Sequence, residues 1–177
     1  ERINPGDKLH TVEKIKKITS GSTPEIADLI DNVYNSVLTN GTHKAPSIKV
    51  AEAAKIIENS QRDVNIAFAN ELSVLCDKFG INVWELISLA NRHPRVNILN
   101  PGCGVGGHCI AVDPWFIVHA GGDDARLIKT AREVNSHKTQ WTIEKIKNAA
   151  LKFELKGGKK PKIACMGLAF KPDIDDL

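Results

Sequence analysis

The chain has 177 residues, a formal net charge of +3, 42% hydrophobic and 25% charged residues, which suits one ordinary globular domain or parts of two. Lys and Arg are interleaved with Asp and Glu, so neither nucleic acid nor an anionic membrane is implied as a partner, and no apolar run approaches the roughly 20 residues of a membrane span. Four cysteines without a regular framework suit a reducing, cytoplasmic setting.

The chain opens on a loop, with Asn4-Pro5-Gly6 as a turn signal. It starts without Met, no signal peptide is expected from its first residues, and its last stretch reads as a strand with no following partner, so a fragment is expected. Lys14 to Thr19 is predicted as a short strand. A helix follows, capped by Thr23 with Pro24 at its first position; Ile26, Leu29, Ile30, Val33 and Val37 recur at helical spacing up to Asn40-Gly41. Lys44 to Lys49 reads as extended. From Val50 to Phe79 there is no Gly or Pro, and apolar residues recur with helical period, so one helix of about 45 Å is predicted. Its length suggests an element linking domains or subunits, with Val64, Phe68, Leu72 and Leu75 packing inside the domain and against a second copy.

Gly80 ends that helix, Val83 to Ala90 forms a shorter one, and Pro94 breaks regular structure. Two further helices are predicted at Arg126 to Asn135 and Thr139 to Phe153. A Gly157-Gly158-Lys159-Lys160 linker leads into the last stretch, Lys159 to Pro172, which reads as a strand running into a turn.

The most informative stretch is Pro101-Gly102-Cys103-Gly104-Val105-Gly106-Gly107-His108-Cys109, followed four residues later by Asp113. Glycines at this density let backbone approach a ligand. A thiol leaving such a loop, with a carboxylate one helical turn on, has the layout of a covalent active site. Three other readings stay open: zinc held by Cys103, His108, Cys109 and Asp113, a Cys103–Cys109 disulfide, and a structural turn with a buried thiol. On the long helix, Lys55, Asn59 and Arg62 share a face, which suits either solvent or an anionic, hydroxylated ligand.

Four separated signals then coincide: Glu1-Arg2-Ile3 with Pro5-Gly6, Lys55-x-x-x-Asn59, the Gly-x-Gly-Gly-x-Cys loop ending at Cys109 with Asp113, and Gly167-Leu168-Ala169-Phe170-Lys171-Pro172-Asp173. In this order they make the chain resemble the nucleotide-sugar 6-dehydrogenases. His93-Pro94-Arg95-Val96 and the Gly106 to Phe116 stretch are most similar to the branch that acts on UDP-N-acetyl-D-mannosamine. Cys103 departs from the family's usual Pro or small residue.

The resemblance implies an α/β protein overall, mostly α here, with a helical dimerisation domain and long central helix flanked by pieces of Rossmann-like domains. Residues 1–43 would close an N-terminal NAD-binding domain, 44–135 form the central helical domain, and 136–177 begin a truncated nucleotide-sugar domain. It implies oxidation of a sugar C6 alcohol to the carboxylate, with NAD as cofactor, in two hydride transfers through a Cys109 thiohemiacetal and thioester. Glu1 would be the base for hydrolysis, Asp113 would position water, Lys55 would act as base or stabilise developing oxyanion charge, and Asn59 would hold substrate oxygen or water. Arg2, Ile3, Arg62, His93, Arg95, Gly106, Phe170 and Lys171 would contact the substrate, His93 and Arg95 in the partner subunit's site. The main NAD site would lie outside this stretch, no metal would be needed, and a homodimer or higher homo-oligomer is expected. The resemblance leaves other UDP- or GDP-sugar dehydrogenases as alternatives, and the residues alone allow a non-catalytic helical dimerisation module.

Overall fold

The computed structural model describes residues 11 and 13–167. The chain forms two compact units, with the boundary after Glu58. In the first, β1 (Lys17–Thr19), α1 (Pro24–Asn35) and β2 (Thr42–Lys44) make a βαβ unit. The strands pair in parallel, Lys17 opposite Thr42 and Thr19 opposite Lys44, and α1 packs on both. Thr23 caps α1 by accepting from the Ile26 amide, with Pro24 in the first turn, where its missing N–H is no loss. Asp31 on α1 ties the two strands, accepting from Thr19 Oγ1 at 2.5 Å and Thr42 Oγ1 at 2.6 Å.

Both elements are shorter than their predicted spans. Helix α1 stops at Asn35, ahead of Asn40-Gly41, because Asn35 turns its amide onto Thr42 Oγ1 at 2.7 Å and Ser36 Oγ bonds back to Val33 O at 2.7 Å. The stretch from Lys44 is extended only at its start. Ser47 Oγ accepts from the Val50 amide at 3.2 Å, and α2 (Ile48–Phe79) begins there.

Helix α2 crosses the unit boundary as one helix of 32 residues, about 48 Å long. The second unit adds α3 (Val83–Ala90), α4 (Asp113–Gly121), a 3-10 turn (Gly122–Asp124) and α5 (Arg126–Gly157). The two helices predicted between Arg126 and Phe153 are therefore one. Nothing between Asn135 and Thr139 breaks a helix, and the polar residues that suggest a gap are anchored: Asn135 and Lys138 are buried and hydrogen-bonded. Of the stretch read as a last strand, 161–167 is irregular, with no described strand alongside to pair with it, and 168–172 lies outside the described residues. The predicted domain limits at 43/44 and 135/136 fall within β2 and within α5.

Side-chain ties show how α2 and α5 lie. Asp63 meets Arg132, Asn70 meets Asn135, Ser73 meets Lys138, and Asp77 meets Lys145. Both numbers rise together, so the helices run side by side in the same direction. Parallel neighbours cannot be joined by a tight turn. Residues 80–125 make the return journey, and α3, the glycine loop and α4 ride on it.

The covered face of α2 is polar and small: Asn59, Ser60, Asp63, Ala67, Asn70 and Ser73 are buried, with Asp63, Asn70 and Ser73 bonded to α5. The apolar residues expected to pack are partly open, with Phe68 53% and Leu75 42% exposed. Among the described residues no helix is long and apolar enough to cross a membrane.

Candidate active site

The glycine loop descends along α2 toward the helix's N-terminal end. Gly102 N donates to Asn70 Oδ1 at 2.9 Å, and further along the chain Asn59 Nδ2 donates to Asp113 Oδ2 at 2.6 Å. The Asn59 and Asn70 side chains are buried, so their hydrogen bonds work without competition from water and fix geometry. Between these anchors Gly104 has φ +145° and Gly107 φ +80°, conformations that favour glycine. A Cβ on Gly104 would run into Thr139 Oγ1 of α5, so here the loop backbone lies directly on that helix.

Cys109 sits at the end of this loop, half-buried. The Asp113 amide donates to Cys109 O at 2.8 Å and the Val112 amide does so at 3.1 Å. The turn between thiol and carboxylate is thus a hydrogen-bonded helical turn. Asp113 begins α4 with Pro114 behind it, where a carboxylate is favoured by the exposed amides of the helix start. Asn59 faces this carboxylate as a donor, so Asp113 keeps one committed oxygen and one other oxygen with which to hold a water or hydroxyl.

Behind the site lies a buried ion pair. Arg132 Nη1 donates to Asp63 Oδ1 at 2.6 Å, and Asn135 Nδ2 donates to the same oxygen at 2.8 Å. Burial pushes the Asp63 carboxyl above its ordinary value, and Arg132 and Asn135 only partly offset this. Asp63 Oδ2 and Arg132 Nε are buried without a hydrogen bond among the described residues.

Residues 49–137 match the UDP-glucose/GDP-mannose dehydrogenase family, central domain. The chain belongs to this family. It is 55% identical over its whole length to a UDP-N-acetyl-D-mannosamine dehydrogenase from Campylobacter jejuni, of which it spans 42%. It is 53% identical over its whole length to an NDP-N-acetyl-D-galactosaminuronic acid dehydrogenase from Ralstonia nicotianae, of which it spans 40%. The native structure of a UDP-N-acetyl-mannosamine dehydrogenase from Staphylococcus aureus superposes with a TM-score of 0.79 at 38% identity, covering 99% of this chain and 40% of that one. The chain thus spans about two fifths of the relatives it matches.

Within this dehydrogenase family member, the structure brings Asn59, Cys109 and Asp113 together. Lys55 lies one turn before Asn59 on α2, its ammonium 3.6 Å from Glu58 Oε2. Arg62, on the same helix, is exposed. His93 and Arg95 are exposed in the turn after α3, where the Arg95 amide donates to His93 Nδ1 at 3.2 Å. Gly106 is exposed in the loop. Glu1, Arg2, Ile3, Phe170 and Lys171 lie outside the described residues.

Cys103 and Cys109 are not joined by a disulfide, so that reading of the sequence fails. Cys103 instead lines a cavity of about 450 Å³ with Lys138, Trp84 and Trp141. Among the described residues no group of three His, Cys, Asp or Glu is placed to hold a metal ion.

Sequence reasoning missed Asp63, Asn70, Arg132 and Asn135. Their signal was present: Asn59, Asp63 and Asn70 repeat at helical spacing, as do Arg132 and Asn135. Polar residues at that period read as a solvated face, because sequence does not say which face a second helix will cover.

Proposed function

We propose that this chain is the central portion of an NAD-dependent nucleotide-sugar 6-dehydrogenase that oxidises UDP-N-acetyl-D-mannosamine to the corresponding uronate, in the cytoplasm, for polysaccharide or glycan biosynthesis. The observation that carries the reading is Cys109 at the end of a seated glycine loop, one hydrogen-bonded turn from an Asp113 carboxylate held by Asn59. The similarity over the entire chain to dehydrogenases of that sugar supports it.

The chemistry calls for such a thiol. Oxidation of the C6 alcohol gives an aldehyde, which has no hydroxyl at carbon from which to continue. Attack by the Cys109 sulfur forms a thiohemiacetal that still bears hydrogen on C6, and loss of that hydrogen as hydride leaves a thioester. NAD, when bound, accepts the hydride in each oxidation; its residues are not assigned to this chain. Asp113, with one oxygen committed to Asn59, aligns the water that cleaves the thioester and frees Cys109, while Glu1 takes its proton. Lys55 supports negative charge on the substrate oxygen. Arg62, His93 and Arg95 supply donors for pyrophosphate or the acetamido group, with Arg2, Ile3, Gly106, Phe170 and Lys171 completing the substrate contacts.

A homodimer or larger homo-oligomer is part of this reading. The exposed Phe68, Leu75 and Phe79 on α2 and Trp84 and Leu89 on α3 support it, since large apolar side chains gathered on neighbouring elements mark interfaces. A 2-acetamido sugar of another configuration is the second reading, supported by the 53% identity to the Ralstonia nicotianae protein.

The test is Cys109→Ala in the whole protein, with NADH counted per sugar consumed. Loss of uronate formation is expected, and two NADH per sugar at the wild-type rate would refute the covalent role. Turnover compared across UDP-N-acetylmannosamine, UDP-N-acetylgalactosamine and UDP-glucose decides the sugar.

A further inference from the structure

The segment that carries Cys109 is tied to one face of α2 at two places. Its beginning is held at Gly102 by Asn70, and its end at Asp113 by Asn59. These asparagines stand about 16 Å apart along the helix at 1.5 Å per residue. The thiol hangs between them on a stretch too rich in glycine to hold its own shape.

The direction of the Asn70 amide is dictated from below. Asp63 accepts from Arg132, so its carboxylate oxygen takes the Asn135 Nδ2 donor. Asn135 Oδ1 is left facing α2, where it accepts from Asn70 Nδ2 at 2.8 Å. Asn70 must then present its oxygen to Gly102. A flipped Asn70 amide would set two donors against each other at Gly102 and two acceptors against each other at Asn135. Asn70 and Asn135 are 0% and 1% exposed, so no water relieves such a mismatch. The loop's second point of rest is on the same α5 stretch, at Gly104 against Thr139.

We propose that Asn70 is a positioning residue for the Cys109 nucleophile: through the Asp63–Asn135–Asn70 relay, the α2–α5 ion pair sets where the catalytic loop starts. The proposal rests on the reading of Cys109 as nucleophile. A misplacement of about 1 Å at a reacting atom costs on the order of 100-fold in rate. The loss should fall on kcat, because the Asn70 side chain is 0% exposed and is spent on Asn135 and Gly102.

The experiment uses the whole protein and three readouts: kcat and KM for UDP-sugar and NAD, the rate of Cys109 alkylation by iodoacetamide, and thermal unfolding. Asn70→Ala should lower kcat about 30- to 100-fold with both KM values within about threefold, and should change the alkylation rate at temperatures where the protein is folded. Gly104→Ala displaces the same loop without touching a buried polar group and should give the same pattern. Adding Thr139→Ala removes the obstructing hydroxyl and should return part of the lost kcat. If Asn70→Ala does not fold, the Gly104→Ala and Thr139→Ala pair decides. Folded variants with wild-type kcat and alkylation overturn the proposal, as does loss of stability alone. Cys109→Ala in the same series separates the two ideas: if it is inactive while the loop variants are normal, only the positioning role falls. If it is active, the nucleophile reading falls.

Discussion

Replacing Arg132 by Ala removes one partner of a pair whose side chains are 8% and 0% exposed for Arg132 and Asp63. Asp63 Oδ1 would keep the Asn135 bond at 2.8 Å but lose its only described counter-charge. Leaving one charge buried and unpaired costs about 3–5 kcal/mol. At about 2–4 °C per kcal/mol for a domain of this size, the melting temperature should fall by about 10 °C. The loss should also depend on pH. Burial already raises the Asp63 carboxyl, and Arg132 is the strongest of the groups pulling it back, so the substitution raises it further. A carboxyl raised in the folded state binds its proton more tightly folded than unfolded. Its contribution is fullest below the unfolded value and is lost as pH rises through the folded one. The variant's deficit should therefore be small in acid and grow toward neutral pH. Replacing both residues by Leu should recover most of the stability, since neither charge is then stranded. Urea and thermal unfolding at a series of pH values measure all three. A deficit below about 1 kcal/mol at neutral pH, or one that shrinks as pH rises, would refute the reasoning.

Asp31→Ala should loosen the βαβ unit. Thr19 chiefly, then Thr42, hold the Asp31 carboxyl below its ordinary value, so the stability it contributes should be present above the unfolded carboxylate range and lost on acidification through the folded value, as a pH series of melting temperatures would show. Lys55→Ala in the whole protein should mainly lower kcat and Arg62→Ala mainly raise KM for the UDP-sugar; steady-state kinetics with the reverse split would remove both from their assigned places. The 177-residue chain alone should alkylate faster at the half-buried Cys109 than at Cys76, which is 3% exposed, yet make no NADH with any UDP-sugar. Peptide mapping and absorbance at the NADH band read these two outcomes, and turnover by the chain alone would place a complete cofactor site within it.

Much of this protein was determined by local sequence. The Thr23-Pro24 helix start, the unbroken run to Phe79, the stop at Gly80 and the helix from Val83 to Ala90 all follow from caps, breakers and period, which act within a few residues. The Cys109–Asp113 turn is of the same kind, because its hydrogen bonds span four positions. Tertiary structure decided which face of α2 is covered. The apolar stripe of Phe68 and Leu75 looked like the inside, yet the covered face is that of Asn59, Asp63 and Asn70. That choice comes from α5, more than sixty residues away in sequence, whose Arg132 and Asn135 are complementary to it. It also joined two predicted helices into one across Asn135, because the polar residues that suggest a break are buried and bonded in the assembled pair. A hydrogen bond of this kind has no sequence period, so only the folded chain shows that the groups behind the glycine loop belong to it.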